Sequence, residues 1–256
     1  MKFLTLNTHS WMEKDPQEKF RLLLQDILEQ NYDLVCLQEI NQEISSSLAE
    51  TDELYHHLPS AEPIHQDNYN YLLVQELKKA GREYYWTWAY NHIGYDRYHE
   101  GVGILSKNQI QAREILVSDV DDPTDYHTRR VALVETTVDG KDLAVASVHL
   151  SWWDKGFQEE WARFESVLTV LNKPLLLAGD FNNPAGQEGY QTILASPLSL
   201  QDAYEAAQER SGSYTVPPEI DGWKGNSEPL RIDYVFTTKD LQVKYLHVVF
   251  DGQNSP

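Results

Sequence analysis

Gly179-Asp180-Phe181-Asn182 follows the apolar run Pro174-Leu175-Leu176-Leu177-Ala178, and that junction organises the reading of the whole chain. The apolar run reads as a buried strand. The next residues, Asn183-Pro184-Ala185-Gly186, stop it, so Asp180 and Asn182 fall at a strand-to-loop corner. An Asp supplies negative charge and an Asn a neutral donor, and together they suit an attacking water and a phosphate oxygen. On its own the tetrapeptide is equally a polar turn after a core strand, so the other strands have to decide.

Working outward, the same arrangement recurs. Phe3 to Asn7 alternates into a strand that ends on Asn7, and Asp33 to Leu37 forms one that ends in Gln38-Glu39. Between them Asp15-Pro16-Gln17-Glu18 opens a helix, with Asp15 as N-cap, Pro16 in the first turn and Glu18 at capping-box spacing. Phe20, Leu23, Leu24, Ile27 and Leu28 give that helix one apolar stripe. A second helix covers about Asn68 to Lys79 and stops at Gly81. The aromatic stretch Tyr84 to Tyr90 reads first as a core strand, with more rings than one buried face needs and so some candidates for a cleft wall. Gly101 to Ser106 is another strand, approached through Glu100. Arg130 to Val138 and Lys141 to Leu150 flank Asp139-Gly140, a strong hairpin signal, and the second arm ends on His149. A helix from Phe157 to Leu171, a short helical stretch from Gln187 to Leu194, a loop rich in Pro and Gly, and strands from Arg231 to Thr237 and from Val243 to Phe250 complete the pattern. Two sheets packed together and covered by helices satisfy it.

Several strands therefore carry polar residues where core would be expected: Asn7, Glu39, His149, the Asp180/Asn182 pair and Asp233 beside Arg231. Burying unpaired polar groups costs about 1–3 kcal/mol each. Each has a purely structural explanation, Asn7 and Glu39 as helix caps, His149 as a satisfied interior histidine, Asp233 and Arg231 as an ion pair. Their coincidence is what favours a site.

Composition narrows the classes. The 256 residues fit one large α/β domain, with no linker, repeat or low-complexity run. No stretch approaches the roughly 18 apolar residues of a membrane span, and the N-terminus turns polar too soon for a signal peptide. One cysteine, Cys36, lies in an apolar run and allows no internal disulfide, so cytoplasm is the default location. With 40 acidic against 21 basic residues the formal charge is -19, which disfavours a nucleic-acid partner without excluding one.

Leu6-Asn7-Thr8, Leu37-Gln38-Glu39, Glu100-Gly101-Val102-Gly103-Ile104-Leu105-Ser106, Ser147-Val148-His149-Leu150, Gly179-Asp180-Phe181-Asn182 and Arg231-Ile232-Asp233-Tyr234-Val235 occur in that order. Together they resemble the endonuclease/exonuclease/phosphatase superfamily, the DNase I-like metallohydrolases, over nearly the whole chain. The resemblance implies a four-layer α/β/β/α sandwich of two packed mixed sheets flanked by helices, with the site at one edge of the paired sheets. It implies Glu39 as principal ligand of Mg2+, or of Mn2+ in its place, with Asn7 close to metal and phosphate. It further implies Asp180 orienting the attacking water, Asn182 donating to a phosphate oxygen, His149 binding phosphate with Glu100 as its orienting carboxylate, and Arg129 contacting phosphate. Asp233 resembles the partner of a terminal catalytic histidine. Oxygen ligands of this kind suit Mg2+, which often takes only one or two protein carboxylates. Family members close in a Ser-Asp-His segment whose His is the general base. The sequence ends at Gln253-Asn254-Ser255-Pro256 without it. The expectation is that the sequence stops short of that segment, the alternative being another base.

The stretch Tyr84 to Tyr98, with His92-Ile93-Gly94-Tyr95 before Glu100, is most similar to the bacterial branch containing maltose 6'-phosphate phosphatases. Tyr95, Trp152 and Trp153 are the candidate faces for a sugar ring, although the tryptophans equally suit a hydrophobic plug. The expected function is Mg2+-dependent phosphomonoester hydrolysis of a phosphorylated sugar. The runner-up is a phosphodiesterase, nuclease or sphingomyelinase-like, and a non-catalytic binding module is disfavoured by the intact Glu39, Asp180, Asn182 and His149.

Overall fold

A computed structural model describes residues 1–220 and 222–250. The expected approach to a terminal Ser-Asp-His segment, Asp251 to Pro256, lies outside the described residues. In chain order the elements are β1 (Phe3–Asn7), α1 (Pro16–Gln30), β2 (Leu34–Glu43), α2 (Tyr69–Lys79), β3 (Tyr85–Gly94), β4 (Tyr98–Ser106), β5 (Ile110–Leu116), β6 (Arg130–Val138) and β7 (Lys141–His149). There follow α3 (Phe157–Leu168), β8 (Leu175–Asp180), α4 (Glu188–Leu194), β9 (Leu200–Asp202), α5 (Ala203–Ala206), β10 (Glu209–Ser211), β11 (Asp233–Thr238) and β12 (Tyr245–His247).

Strands β1-β2-β4-β3 make one mixed sheet and β5-β6-β7-β8-β11-β9 a second, with β10 and β12 as a small parallel pair. Three apolar clusters show how they stack. Leu34, Cys36, Ala89, Val102 and Ile104 of the first sheet meet Ala132, Val134, Val145, Leu176 and Ala178 of the second in an inner core. The outer face of the first sheet packs on α1 and α2 through Phe20, Leu23, Ile27, Leu73, Trp86 and Trp88. The outer face of the second packs on α3 and α4 through Phe157, Trp161, Phe164, Phe181 and Ile193. Helix, sheet, sheet and helix thus form the four layers, each sheet buried on both faces, which is why so many strands read as continuous apolar runs. Small β-branched and Ala side chains between the sheets let them approach closely. The large rings sit outside, where helices leave more room.

Several sequence expectations change in detail. Asp15 occupies the N-cap of α1, but in the left-handed region (φ 58) with no side-chain cap bond. The first-turn Pro16 fixes that start without the expected capping box. Asn68 does cap α2, accepting from Tyr71 N. β2 does not end at Glu39: it runs to Glu43 through a register shift between Leu37 and Ile40. The aromatic run of β3 is core, with Trp86, Trp88 and Tyr90 buried. The last expected strand shrinks to Tyr245–His247. The hairpin at Asp139-Gly140 forms as read, both residues at positive φ (51 and 74). Cys36 is fully buried and burial raises its thiol pKa, so it is inert core. Among the described residues no helix is long and apolar enough to cross a membrane.

Candidate active site

The second sheet builds its part of the site by register alone. Parallel β7 and β8 pair His149 with Asp180, and antiparallel β8 and β11 pair Asp180 with Asp233. Paired residues on neighbouring strands share a face. Asp180 has the parity of Leu176 and Ala178, which lie in the inner core. The row therefore stands where that core would continue, at the open edge of the sandwich. Gly179 lets β8 reach this point: its φ is +137, and a Cβ there would lie 2.1 Å from Val148 O. Asn182 turns the corner at φ 50.

The first sheet contributes by an irregularity. On β2, Cys36 faces the inner core and Leu37 the outer helices, so strict alternation would send Gln38 inward and Glu39 outward. Gln38 does cross between the sheets, donating to Ser147 Oγ at 2.9 Å. The bulge and the left-handed backbone of Glu39 (φ 53) turn the next side chain the same way. Its Oε1 accepts from Asn7 Nδ2 at 2.8 Å. Asn7 Nδ2 also lies 3.1 Å from Asp180 Oδ2, joining the sheets.

Around this junction the charges are poorly balanced. Asp180 Oδ1 accepts from Asn182 N at 2.8 Å. Burial, with Asp233 adding like charge, raises the Asp180 pKa well above the usual carboxylate range. Burial and the Glu100 carboxylate likewise raise Glu39, and burial raises Asp233. His149 Nε2 stands 3.8 Å from Asp180 Oδ2 and 4.0 Å from Glu39 Oε1. Burial, then the positive Arg129, lowers its pKa well below that of an ordinary imidazole, which keeps it neutral. Arg129 is 4% exposed, and among the described residues its Nε and Nη1 have no hydrogen-bond partner, nor has Asp233 Oδ1. A buried guanidinium and a group of carboxylates thus share one cleft with no direct ion pair between them among the described residues. Leaving such groups unpaired is costly. A hard cation among the carboxylates and an anion on the arginine would satisfy both.

Among the described residues no group of three or more His, Cys, Asp or Glu could hold a metal by itself. That donor set fits a hard divalent ion held by Glu39 with Asn7 nearby and completed by water and substrate oxygens, the habit of Mg2+.

Other expected residues fall in different places. Glu100 does not face His149. Its Oε1 lies 3.4 Å from His92 Nε2, next to the register shift of β3 between Tyr90 and His92. Asn182 Nδ2 donates to Leu150 O at 2.9 Å, which fixes the amide at the cleft edge and leaves its second N–H. Arg231 is not part of the row: it pairs with Asp202 at 2.7 Å and stacks on Tyr190, Tyr204 and Tyr234. Trp152 lines the cleft, and Gly222 packs against its ring. Trp153 does not. It turns into the outer core beside Phe157, ring centroids 6.1 Å apart. Tyr95 is 54% exposed at the cleft mouth, with its hydroxyl 3.3 Å from His9 Nε2. Sequence reasoning missed His9, His92, Tyr126 and Trp223, all of which line the cleft. His92 lay inside a quoted motif, while the others carry no pattern of their own.

Carboxylates, an arginine and a histidine thus converge at one edge of a four-layer sandwich. The chain belongs to the endonuclease/exonuclease/phosphatase family, whose model matches residues 11–255. Members of this family hydrolyse phosphoester bonds and generally depend on a divalent metal, and the protein is such a hydrolase. No curated protein matches the chain. Among solved structures, it is similar to an endonuclease/exonuclease/phosphatase family protein from Leptotrichia buccalis at 28% identity and TM-score 0.85, covering 99% of this chain and 94% of that one. A mannosyl-6-phosphatase of Bacteroides thetaiotaomicron shares the fold at 14% identity and TM-score 0.61, covering 95% of this chain and 87% of that one. The catalytic domain of human Nocturnin, solved with a bound sulfate anion, shares it at 18% identity and TM-score 0.59, covering 91% and 81%.

Proposed function

We propose that the protein is a Mg2+-dependent phosphomonoesterase acting on a phosphorylated sugar. The observation that carries this reading is the set of opposite charges in one cleft: Arg129 with two unpartnered nitrogens, and Glu39, Asp180 and Asp233 with no lysine or arginine in ion-pair contact among the described residues. A dianionic phosphate with a divalent cation answers both needs at once. Glu39 and Asn7 would hold the cation. When bound, it polarises the phosphoryl oxygens and offsets charge developing on them.

The chain's own residues do the remaining work. Asp180, fixed by Asn7 Nδ2 on one oxygen and Asn182 N–H on the other, orients the attacking water in line with the leaving group. His149, held neutral, and Asn182 offer hydrogen bonds to non-bridging oxygens, and Arg129 binds the anion. These contacts position and stabilise rather than form covalent bonds, as phosphoryl transfer requires. Asp233, at the end of the row, keeps one oxygen for a proton-carrying partner. The sugar assignment is supported by the rings at the mouth. Trp152 and Trp223 line the cleft, and Tyr95 and Tyr126 line it as exposed side chains. Flat apolar faces suit a sugar ring. The Bacteroides neighbour, a mannosyl-6-phosphatase, points the same way.

The test is phosphate release with Mg2+ from a panel of phosphorylated mono- and disaccharides, beside plasmid DNA and a phosphocholine diester. Release from sugar phosphates above all other substrates is expected. Nicking of plasmid or cleavage of the diester with the sugar phosphates untouched would overturn the reading in favour of a phosphodiesterase.

A further inference from the structure

Arg129 makes no side-chain hydrogen bond through Nε or Nη1, so its aim has to be set through its backbone. It lies just before β6, where the ladder to β7 has not begun: the first β6–β7 pair is Ala132 with Ser147. On its other side the backbone is held by the β5 edge: Leu116 pairs with Arg130, and Arg129 O accepts from Val117 N at 3.0 Å. Three side chains complete the hold. Ser118 Oγ accepts from Arg129 N at 2.8 Å. Asn91 Oδ1 accepts from Arg130 N at 2.7 Å. His92 Nδ1 donates to Thr128 O at 3.2 Å, since a carbonyl can only accept. The residues on either side of Arg129 are thus both held by adjacent residues of the first sheet.

Adjacent residues of a regular strand point to opposite faces. Asn91 and His92 reach the same segment because β3 has a register shift between Tyr90 and His92. Tyr90 lies in the outer cluster and Ala89 in the inner one, so the shift turns two consecutive polar side chains inward. Behind the ring, Glu100 Oε1 sits 3.4 Å from His92 Nε2, and both residues are nine-tenths buried. Asn91 and His92 do not line up with any helix cap or turn of their own, and their hydrogen bonds go to this one segment of the other sheet.

We infer that the Asn91–His92 bulge is a clamp that positions Arg129 for the phosphate group. His92 and Asn91 are positioning residues acting through Arg129, and the inference rests on the reading that Arg129 binds the anion. It also explains why Glu100 faces His92 instead of His149: it braces the clamp.

The experiment is calorimetric titration of inorganic phosphate, with Mg2+ present, into the full chain and its variants. Arg129→Ala is expected to bind phosphate at least about tenfold more weakly. His92→Gln keeps a polar group toward Glu100 but loses the bond to Thr128 O, and is expected to weaken binding about fivefold. His92→Asn places its amide where Nδ1 was, and should restore affinity to within about twofold. The decisive variant is His92→Gln with Arg129→Ala: it should bind no more weakly than Arg129→Ala alone, because coupled residues are not additive. If His92→Gln binds as the parent does, or its loss persists in the Arg129→Ala background, the clamp is wrong. If Arg129→Ala binds as the parent does, the anion-binding reading fails instead. Should His92→Gln not fold, Asn91→Ser, which shortens the acceptor for Arg130 N–H, is read by the same cycle.

Discussion

The two sheets bring side chains to the same cleft by different means. The second sheet uses regular pairing: His149, Asp180 and Asp233 are neighbours in register at the ends of β7 and β8 and the start of β11. The first sheet uses broken pairing: bulges on β2 and β3, both set against Gly101 of β4, turn Glu39, Asn91 and His92 inward out of sequence with their strands. Regular pairing sets side chains a fixed strand spacing apart and all on one face. A bulge can place two consecutive side chains on that face, at the cost of local strain of about 1–3 kcal/mol for a non-glycine residue at positive φ such as Glu39. On the proposed reading, the row carries the chemistry, and the bulges supply Glu39 for the cation and the clamp behind Arg129.

The contrast breaks most sharply at the centre of the row. Asp180→Asn keeps the hydrogen-bonding shape but removes the charge that orients the nucleophile, and turns one acceptor oxygen into a donor facing Asn7 Nδ2 or Asn182 N. A loss in kcat of about 10²–10³ is expected, the range for removal of one preorganised electrostatic contact, with the melting temperature little changed. Steady-state kinetics on the best sugar phosphate checks it, and a change confined to KM would move Asp180 to ground-state binding.

Backbone geometry behind the row comes next. Gly179→Ala puts a methyl 2.1 Å from Val148 O at φ +137, so β7 and β8 must separate where His149 and Asp180 pair. Destabilisation of about 2–3 kcal/mol is expected from the left-handed backbone and the clash together. Urea unfolding measures it, and kcat should fall too, since the row loses its spacing.

On the bulged side, Glu39→Gln should weaken Mg2+ binding by about 10- to 100-fold, the size of one lost ligand charge, read by calorimetry without substrate. Removing this buried carboxylate also relieves like charge on Asp180 and Glu100. The variant should therefore be at least as stable as the parent. Unchanged Mg2+ affinity would take Glu39 out of the ligand role.

This division also governs what the sequence reveals. His149 and Asp180 stand at strand ends, where an apolar run meets a polar residue, and such boundaries are visible in one dimension; Asp233 reads as lying inside a strand from Arg231, whereas β11 begins at it. The alternation of β6 and β7 about Asp139-Gly140 is equally plain. The extent of β2 was not, because a bulge reads as a strand end: the pattern breaks at Gln38-Glu39 although pairing resumes at Ile40. The role of His92 was hidden for the same reason, since its partners Thr128 and Glu100 are distant in sequence and its direction depends on one extra residue. Capping at Asp15 misled in the opposite direction. The residue types of a capping box were present, but Pro16 and a left-handed Asp15 start α1 without the side-chain bond.

The smallest effect lies just past the row, where Trp152 and Trp153 leave β7 together and part. Trp152 lines the cleft with its indole N–H unpartnered and Lys155 Nζ 4.7 Å over its ring. Trp153 packs into the outer core beside Phe157. Neither touches the reacting atoms, so neither replacement should lower kcat by more than about twofold. Trp152→Ala should raise KM for a phosphorylated disaccharide about three- to tenfold, the worth of one stacking surface. It should leave KM for a small aryl-free phosphate ester nearly unchanged, because only the ring-binding face is lost. Trp153→Ala should instead cost about 1–2 kcal/mol of stability through lost packing of a half-buried ring and leave both KM values alone. The pair is thus a control for itself: equal effects on KM from the two variants would mean that the loop after β7 moves as a unit, and that Trp152 acts by supporting the corner rather than by meeting the substrate.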